Sequence, residues 1–397
     1  LSNQLVIIDE LKQLFAAETP LIDLRAPVEF EQGSLPESVN IPILNTEERA
    51  LIGTAYKHQG QEAAIRLGYQ IVSGPVKKER VAHWCQFVAE NPHAVLYCFR
   101  GGRRSQIAQQ WLKDTGVERP LLAGGYKAAR RFLMRFIEEF GAKNRFILLS
   151  GPTGSGKTAL INAVKNFYPA LDLECLAHHR GSAFGAWRIP QPAQIDFENR
   201  LAVALMKLEN KLLPQTSLLV EDESRHIGKN CLPDSFFIHL RNSEVIWLDE
   251  PRAVRVDNIF NDYILNTVIG HAFQKTGAEG KSMQEQALTV FEYYKKALVA
   301  ISKKLGGLRT REIMIDLASA RLDFLNRNEI QSNKIWIEKL LTYYYDPLYL
   351  KSLKRRQVTV IFKGSNSAVI EYLKNGTNDF AANRPGYQHA RFSTDVS

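Results

Sequence analysis

A chain of 397 residues is long enough for two or three domains with sizeable cores. Its 51 Lys and Arg against 42 Asp and Glu leave a formal net charge of +9, which favours a polyanionic partner without naming one. Cys85, Cys98, Cys175 and Cys231 are too few for a disulfide scaffold and too scattered for a cysteine metal cluster. No structural metal is expected, and a reducing cytoplasm is the expected setting. The first residues, Leu1-Ser2-Asn3-Gln4, lack the basic and then apolar pattern of a secretion signal. No apolar run reaches the roughly 20 residues of a membrane helix, so no membrane partner is expected.

Residues 1–135 alternate short apolar runs with helical segments, the pattern of a parallel α/β sheet. Strands are expected at Leu5-Val6-Ile7, Leu21–Leu24, Val39–Pro42, Ala94–Tyr97 and Leu121-Leu122-Ala123, with helices at Glu47–Gly68 and Ser105–Asp114. An Arg- and aromatic-rich helix over Tyr126–Phe140, ending at Gly141, leads into a second domain, whose core is expected over 136–245. Phe146-Ile147-Leu148-Leu149 is its first strand. From 246 to 357 the composition turns helical and basic, with helices expected at Val256–Lys275, Met283–Leu305, Thr310–Leu325 and Ser332–Tyr345. The stretch 358–397 holds a late strand candidate, Val358–Phe362, that suits the second sheet, and a loosely ordered tail from about Asn375.

Two phosphate-type loops carry the chemistry. Cys98-Phe99-Arg100-Gly101-Gly102-Arg103-Arg104-Ser105 follows a strand and opens a helix. Glycines let successive backbone N–H groups surround a tetrahedral anion, and Arg100, Arg103 and Arg104 add charge-assisted donors. The same surroundings favour the thiolate of Cys98 as a nucleophile. Five residues intervene between Cys98 and Arg104, the spacing of a C-x5-R phosphatase pattern, although no aspartic general acid is evident.

Gly151-Pro152-Thr153-Gly154-Ser155-Gly156-Lys157-Thr158 satisfies the Walker A spacing between a strand and a helix. Its amides and Lys157 suit a diphosphate, and Thr158 is a candidate magnesium contact. Leu218-Leu219-Val220 ends in Glu221-Asp222-Glu223, with Asp222 preferred as the carboxylate near magnesium and Glu221 or Glu223 as alternatives. His179, Arg180 and Ser182, in the unusual run His178–Gly185, are candidate substrate contacts, as are Arg225 and His226.

The first 130 or so residues resemble a rhodanese domain. Asp23-Leu24-Arg25-Ala26-Pro27-Val28-Glu29-Phe30, Gly33–Pro42, Cys98 and Leu122-Ala123-Gly124-Gly125-Tyr126 carry that resemblance. Taken with Gly151–Thr158 and His178–Gly185, the chain resembles the bacterial tRNA 2-selenouridine synthases, which use selenophosphate. The fold this implies is a rhodanese-like parallel-sheet domain followed by a P-loop NTPase-like α/β domain with a helical extension.

The resemblance also implies a two-step reaction on tRNA bearing a wobble 2-thiouridine. Geranyl diphosphate alkylates the sulfur, and selenium from selenophosphate then replaces the geranylated sulfur. Cys98 is then the catalytic residue of selenation, with Arg100, Gly101, Gly102, Arg103, Arg104 and Ser105 around the donor. Gly151, Thr153, Gly154, Ser155, Gly156, Lys157 and Thr158 hold the diphosphate, and a selenophosphate-supplying enzyme is a candidate partner. The basic patches Lys295-Lys296, Lys303-Lys304, Arg309–Arg311 and Lys351–Arg356, with Tyr293, Tyr294 and Tyr343–Tyr345 nearby in sequence, are candidates for the tRNA surface, and Phe184 and Trp187 are candidate prenyl contacts that equally suit packing. Two other classes fit parts of the chain: a rhodanese-type sulfurtransferase with a nucleotide-binding domain, and a non-enzymatic, ATP-gated RNA-binding protein.

Overall fold

The computed structural model describes residues 5–180, 184, 190–213, 216–269, 283–356 and 358–378. The chain divides into two units, the first formed by 1–143 with 191–211 and 229–236, the second by the remainder.

In the first unit, short apolar runs pair side by side in the order Leu5–Val6, Leu121–Leu122, Val95–Tyr97, Leu21–Asp23, Ser38–Asn40, all parallel. Every residue of Leu21–Asp23 and Val95–Tyr97 is buried, as helices on both faces of a parallel sheet require. A polar residue there must be paired. Asp23, fully buried, accepts from the Arg25 guanidinium (Nη2–Oδ2 2.6 Å) and from the Tyr97 hydroxyl at 2.7 Å. Arg25 also donates to the Gly33 carbonyl at 2.8 Å and lies over the Tyr126 ring at 3.8 Å. Burial opposes its charge, but Asp23 outweighs burial and raises the guanidinium further. The acidic/basic run Asp23–Phe30 therefore starts with a buried clamp that ties two central strands to the following loop.

Helices of this unit differ from expectation in two places. Gly141 does not end the helix, which runs Gly125–Lys143 and carries Gly141 buried in its last turn. Gly74–Glu90 forms a helix that sequence patterning passed over. The helix Gln194–Glu209, drawn from the interval ascribed to the P-loop core, packs in this first unit. Its fully buried Asn199 explains the docking: it donates to the Ser34 carbonyl at 2.6 Å and accepts from Arg130 at 2.7 Å, while Asp196 accepts from the Ser34 amide at 2.7 Å.

The second unit holds another parallel sheet, ordered Val360–Gly364, Glu244–Leu248, Phe146–Ser150, Leu218–Glu221, Ala170–Leu171. Phe146–Ser150 is central and buried throughout, and it delivers Gly151–Thr158 at the start of the helix Lys157–Val164. The late strand joins one edge at Val360–Gly364.

Beyond the sheet the chain is helical. Arg252–Phe260 continues into a wide-turn helix over Asn261–Ile269, so the expected helix over Val256–Lys275 is shared between two kinds of turn; its end lies outside the described residues. Met283–Leu305, Gly307–Arg327 and Asn333–Leu340 then enclose a core that includes Phe291, Leu317, Phe324 and Trp336. Tyr294 and Tyr344 belong to this core, and the Tyr294 hydroxyl donates to the Tyr263 carbonyl at 2.6 Å. They are packing residues, which removes them from the aromatic candidates for RNA contact. No helix among the described residues is long and apolar enough to cross a membrane.

Candidate active site

In the first unit the C-terminal end of the central strand Val95–Tyr97, at Cys98, meets the turn at Gly124–Gly125. The Tyr126 and Lys127 amides donate to the carbonyls of Cys98 and Phe99 at 2.9 and 3.0 Å, fixing the loop from one side. Gly125 has φ +58°, and a Cβ there would lie 2.3 Å from the Cys98 carbonyl, so only glycine permits this approach. With its carbonyls held, the loop turns its donors elsewhere. The backbone N–H groups of residues 99–104 bond to no acceptor among the described residues. Ser105, fully buried in the first turn of the helix Arg103–Lys113, keeps a hydroxyl with no partner. Cys98 is buried and unoxidised at the head of this run.

The arginines divide. Arg100 and Arg103 are exposed, with Arg100 lying near the Phe99 ring. Arg104 instead grips Glu29, Nη1–Oε2 at 2.6 Å and Nη2–Oε1 at 3.2 Å. Glu29 also takes the Ala26 amide at 3.1 Å and an ion pair from Arg49 at 3.1 Å. Burial alone would raise the Glu29 carboxyl; Arg104, the Ala26 amide and Arg49 outweigh it and hold Glu29 below the usual carboxylate range. Of the residues ascribed to the donor, Arg104 is thus committed to a carboxylate, which the C-x5-R spacing did not indicate.

In the second unit the Gly151–Thr158 loop leaves the N–H groups of Thr153, Gly154, Gly156, Lys157 and Thr158 without an acceptor among the described residues. The Ser155 hydroxyl is likewise buried and unpartnered. Helix Arg252–Phe260 backs the loop: Arg255 donates to the Thr153 carbonyl and Asn258 to the Gly154 carbonyl, each at 2.9 Å. Gly154, at φ +82°, would place a Cβ 2.7 Å from the Arg255 carbonyl. Lys157 donates to the Gly151 carbonyl at 3.1 Å. Burial lowers its ammonium, yet Tyr349, Glu223, Glu174 and Glu221 together raise it above the ordinary value, so it is a firm cation.

Glu221, and not Asp222, faces Thr158. The Thr158 hydroxyl lies 2.9 Å from both Glu221 Oε1 and Glu174 Oε2. Asp222 is committed elsewhere, accepting from Arg356 at 2.7 and 2.9 Å and from the Ser150 hydroxyl at 2.5 Å. Burial, reinforced by Glu174, Asp172 and Glu223, pushes the Glu221 carboxyl far up. Glu223 is pushed up to about 8 by burial first and by Glu174 second, against the pull of Lys157. Carboxylates crowded in this way have unmet demand for a cation. Among the described residues no group of three or more His, Cys, Asp or Glu side chains is arranged to hold a metal ion alone, so a divalent cation here would draw its remaining ligands from phosphate and water.

Tyr349, which sequence reasoning missed, closes the loop. Its hydroxyl accepts from the Gly151 amide at 2.7 Å and lies 2.7 Å from Ser150 Oγ. Glu174, Arg255 and Asn258 were missed as well; they reach the loop from other parts of the chain, where spacing carries no signal, and Arg356, read in sequence as part of a basic patch, instead holds Asp222.

The remaining candidates are dispersed. His179 donates its amide to the Glu174 carbonyl at 3.0 Å, and burial depresses its imidazole against the pull of Glu174. Arg180 lies over the Tyr263 ring at 5.3 Å and donates to the Asp262 carbonyl at 3.3 Å. Arg225 and His226 are exposed beyond the acidic strand end. Ser182 and Trp187 lie outside the described residues, and Phe184 is buried against Tyr294 and Trp336, in the helical core.

A cysteine cradle on one parallel sheet and a P-loop on another define a rhodanese-type domain joined to a P-loop domain. Residues 8–131 match the model of the rhodanese-like domain, and residues 144–379 match that of the tRNA 2-selenouridine synthase AAA domain. The chain is 60% identical to the tRNA 2-selenouridine synthase of Nitrosomonas europaea, across 92% of this chain and 97% of that one. It is 56% identical to that of Bdellovibrio bacteriovorus (90% and 95% covered) and 42% identical to that of Shewanella woodyi (92% and 97% covered). The chain belongs to the tRNA 2-selenouridine synthase family, a family of enzymes.

Proposed function

We propose that this chain converts wobble 2-thiouridine in tRNA to 2-selenouridine by way of a geranylated intermediate. The observation that carries the reading is the pairing, in one chain of this family, of a cysteine cradle and a P-loop that both keep unpaired amides. In the first step the thiocarbonyl sulfur forms a bond to C1 of geranyl diphosphate as the C–O bond to diphosphate breaks. The electron pair leaves with the diphosphate, and the uridine N3 proton is lost. The amides of Thr153, Gly154, Gly156, Lys157 and Thr158, the Ser155 hydroxyl and the Lys157 ammonium meet the charge that develops on the leaving group. Thr158, Glu221 and Glu174 would hold magnesium, which supplies further positive charge to the diphosphate when bound.

In the second step the selenium of protonated selenophosphate forms a bond to C2 of the uridine as the C–S bond breaks and geranylthiol leaves with the donor's proton; water then cleaves the P–Se bond, which releases phosphate and returns the proton to the selenouridine. The amides of residues 99–104, the Ser105 hydroxyl and the exposed Arg100 and Arg103 bind selenophosphate beside Cys98. Lys295, Lys303, Lys304, Arg309 and Arg311 are exposed on the helical extension, and Arg309 lies over Tyr343 at 5.0 Å; they contribute to tRNA binding.

Mass analysis of 2-thiouridine-containing tRNA, incubated with geranyl diphosphate and then selenophosphate, tests the reading. A geranylated and then a selenium-containing nucleoside is expected. Thiosulfate turnover with no change in tRNA mass would replace it with a sulfurtransferase.

A further inference from the structure

The Cys98 loop has the spacing to aim an arginine into an oxyanion, yet that arginine is held by a carboxylate. Arg104 is the second residue of the helix Arg103–Lys113, and helical side chains lean back toward the N-terminus, where the unpaired amides of residues 99–104 lie. The buried, unpartnered Ser105 hydroxyl marks the same spot as an unfilled polar site. Both terminal nitrogens of Arg104 nevertheless bond to Glu29, which is itself secured by the Ala26 amide and by Arg49.

We propose that Glu29 sets the oxyanion affinity of the Cys98 cradle by holding Arg104 out of it. This deepens the proposed function and rests on its reading of the cradle as the selenophosphate site. The donor and the phosphate left after selenium transfer share a tetrahedral oxyanion group. A bidentate arginine would bind that group in both, and would retain the product as firmly as it captured the donor. With Arg104 sequestered, binding is left to neutral amides, one hydroxyl and the exposed Arg100 and Arg103. Glu29 is thus a specificity-setting residue that acts through Arg104 and does not itself touch the donor.

The test uses the full chain and inorganic phosphate as the probe, and it reads the cradle alone. The rate at which iodoacetamide alkylates Cys98 is followed by peptide mass analysis over a range of phosphate concentrations. Glu29→Gln keeps an acceptor for the Ala26 amide and releases Arg104. One or two charge-assisted bonds to phosphate then lower the half-protecting concentration by about ten- to a hundredfold. Glu29→Gln with Arg104→Gln returns it to the wild-type value. Arg104→Gln alone leaves it unchanged, because Arg104 takes no part in the cradle while Glu29 is present.

Unchanged or weaker protection in Glu29→Gln overturns the proposal. So does a loss of protection in Arg104→Gln alone, and so does the absence of any protection in every variant. Tighter protection in Glu29→Gln, in a protein that makes no selenouridine, would uphold the role of Glu29 and reject the proposed function.

Discussion

Replacing Tyr349 by Phe removes one oxygen atom from the back of the P-loop and keeps the ring that packs against Trp247 at 5.6 Å. That oxygen is the middle of a continuous chain. Gly151 N–H donates to it; because Ser150 gives its own proton to Asp222, the Tyr349 hydroxyl donates to Ser150 Oγ; and Arg356 closes the far end on Asp222. Burial raises the Tyr349 hydroxyl above its ordinary value against the pull of Lys157, so it stays protonated and able to donate. In the Phe variant the buried Gly151 amide has no partner, at a cost of about 1–3 kcal/mol. If the loop recovers that cost by shifting, the diphosphate-ready arrangement is lost, and affinity falls by about 5- to 150-fold. A water molecule filling the gap would bring the effect to the low end. Titration of the full chain with geranyl diphosphate measures it, with selenium transfer to geranylated tRNA as the control, expected within about twofold of wild type. Equal affinity in Tyr349→Phe and wild type would refute the argument.

Three further outcomes are expected. Asp23→Ala strands the buried Arg25 and destabilises the first unit by about 3–5 kcal/mol, which thermal melting followed by limited proteolysis detects. Thr158→Val removes the hydroxyl shared by Glu174 and Glu221 and weakens the magnesium dependence of diphosphate binding, measured by titration with and without the ion. Glu223, with an ordinary value of 4.5 and about 8 in the fold, binds more protons folded than unfolded between those values. Its contribution is therefore greatest below the unfolded value and is lost as pH rises toward 8. Metal-free wild type should lose melting temperature relative to Glu223→Gln from pH 5 to 8, and parallel curves would contradict this.

Local pattern made much of the architecture legible. Buried parallel strands read as unbroken apolar runs, and glycine-rich turns at their ends announce both cradles, because each depends on neighbours in sequence. What escaped depends on long-range partners. Three consecutive acids, Glu221-Asp222-Glu223, look interchangeable in sequence; Arg356, 134 residues away, commits Asp222 and leaves Glu221 to Thr158. Arg104 reads in sequence as an anion ligand, but Glu29, 75 positions earlier, holds it. Gly141 reads as a helix end because propensity disfavours glycine within helices, yet the helix runs two residues past it with Gly141 buried. The helix Gln194–Glu209 carries no sign in its own residues of the unit it joins, because Asn199 is defined by Ser34 and Arg130.

The central claim is a division of labour: the P-loop alkylates and the Cys98 cradle delivers selenium. Nucleoside mass analysis of 2-thiouridine tRNA treated with Cys98→Ser and with Lys157→Ala tests it most directly. Cys98→Ser should accumulate geranylated nucleoside without selenium, whereas Lys157→Ala should fail to geranylate but still selenate tRNA supplied already geranylated. Loss of both steps in both folded variants, or geranylation that survives in Lys157→Ala and disappears in Cys98→Ser, would contradict it.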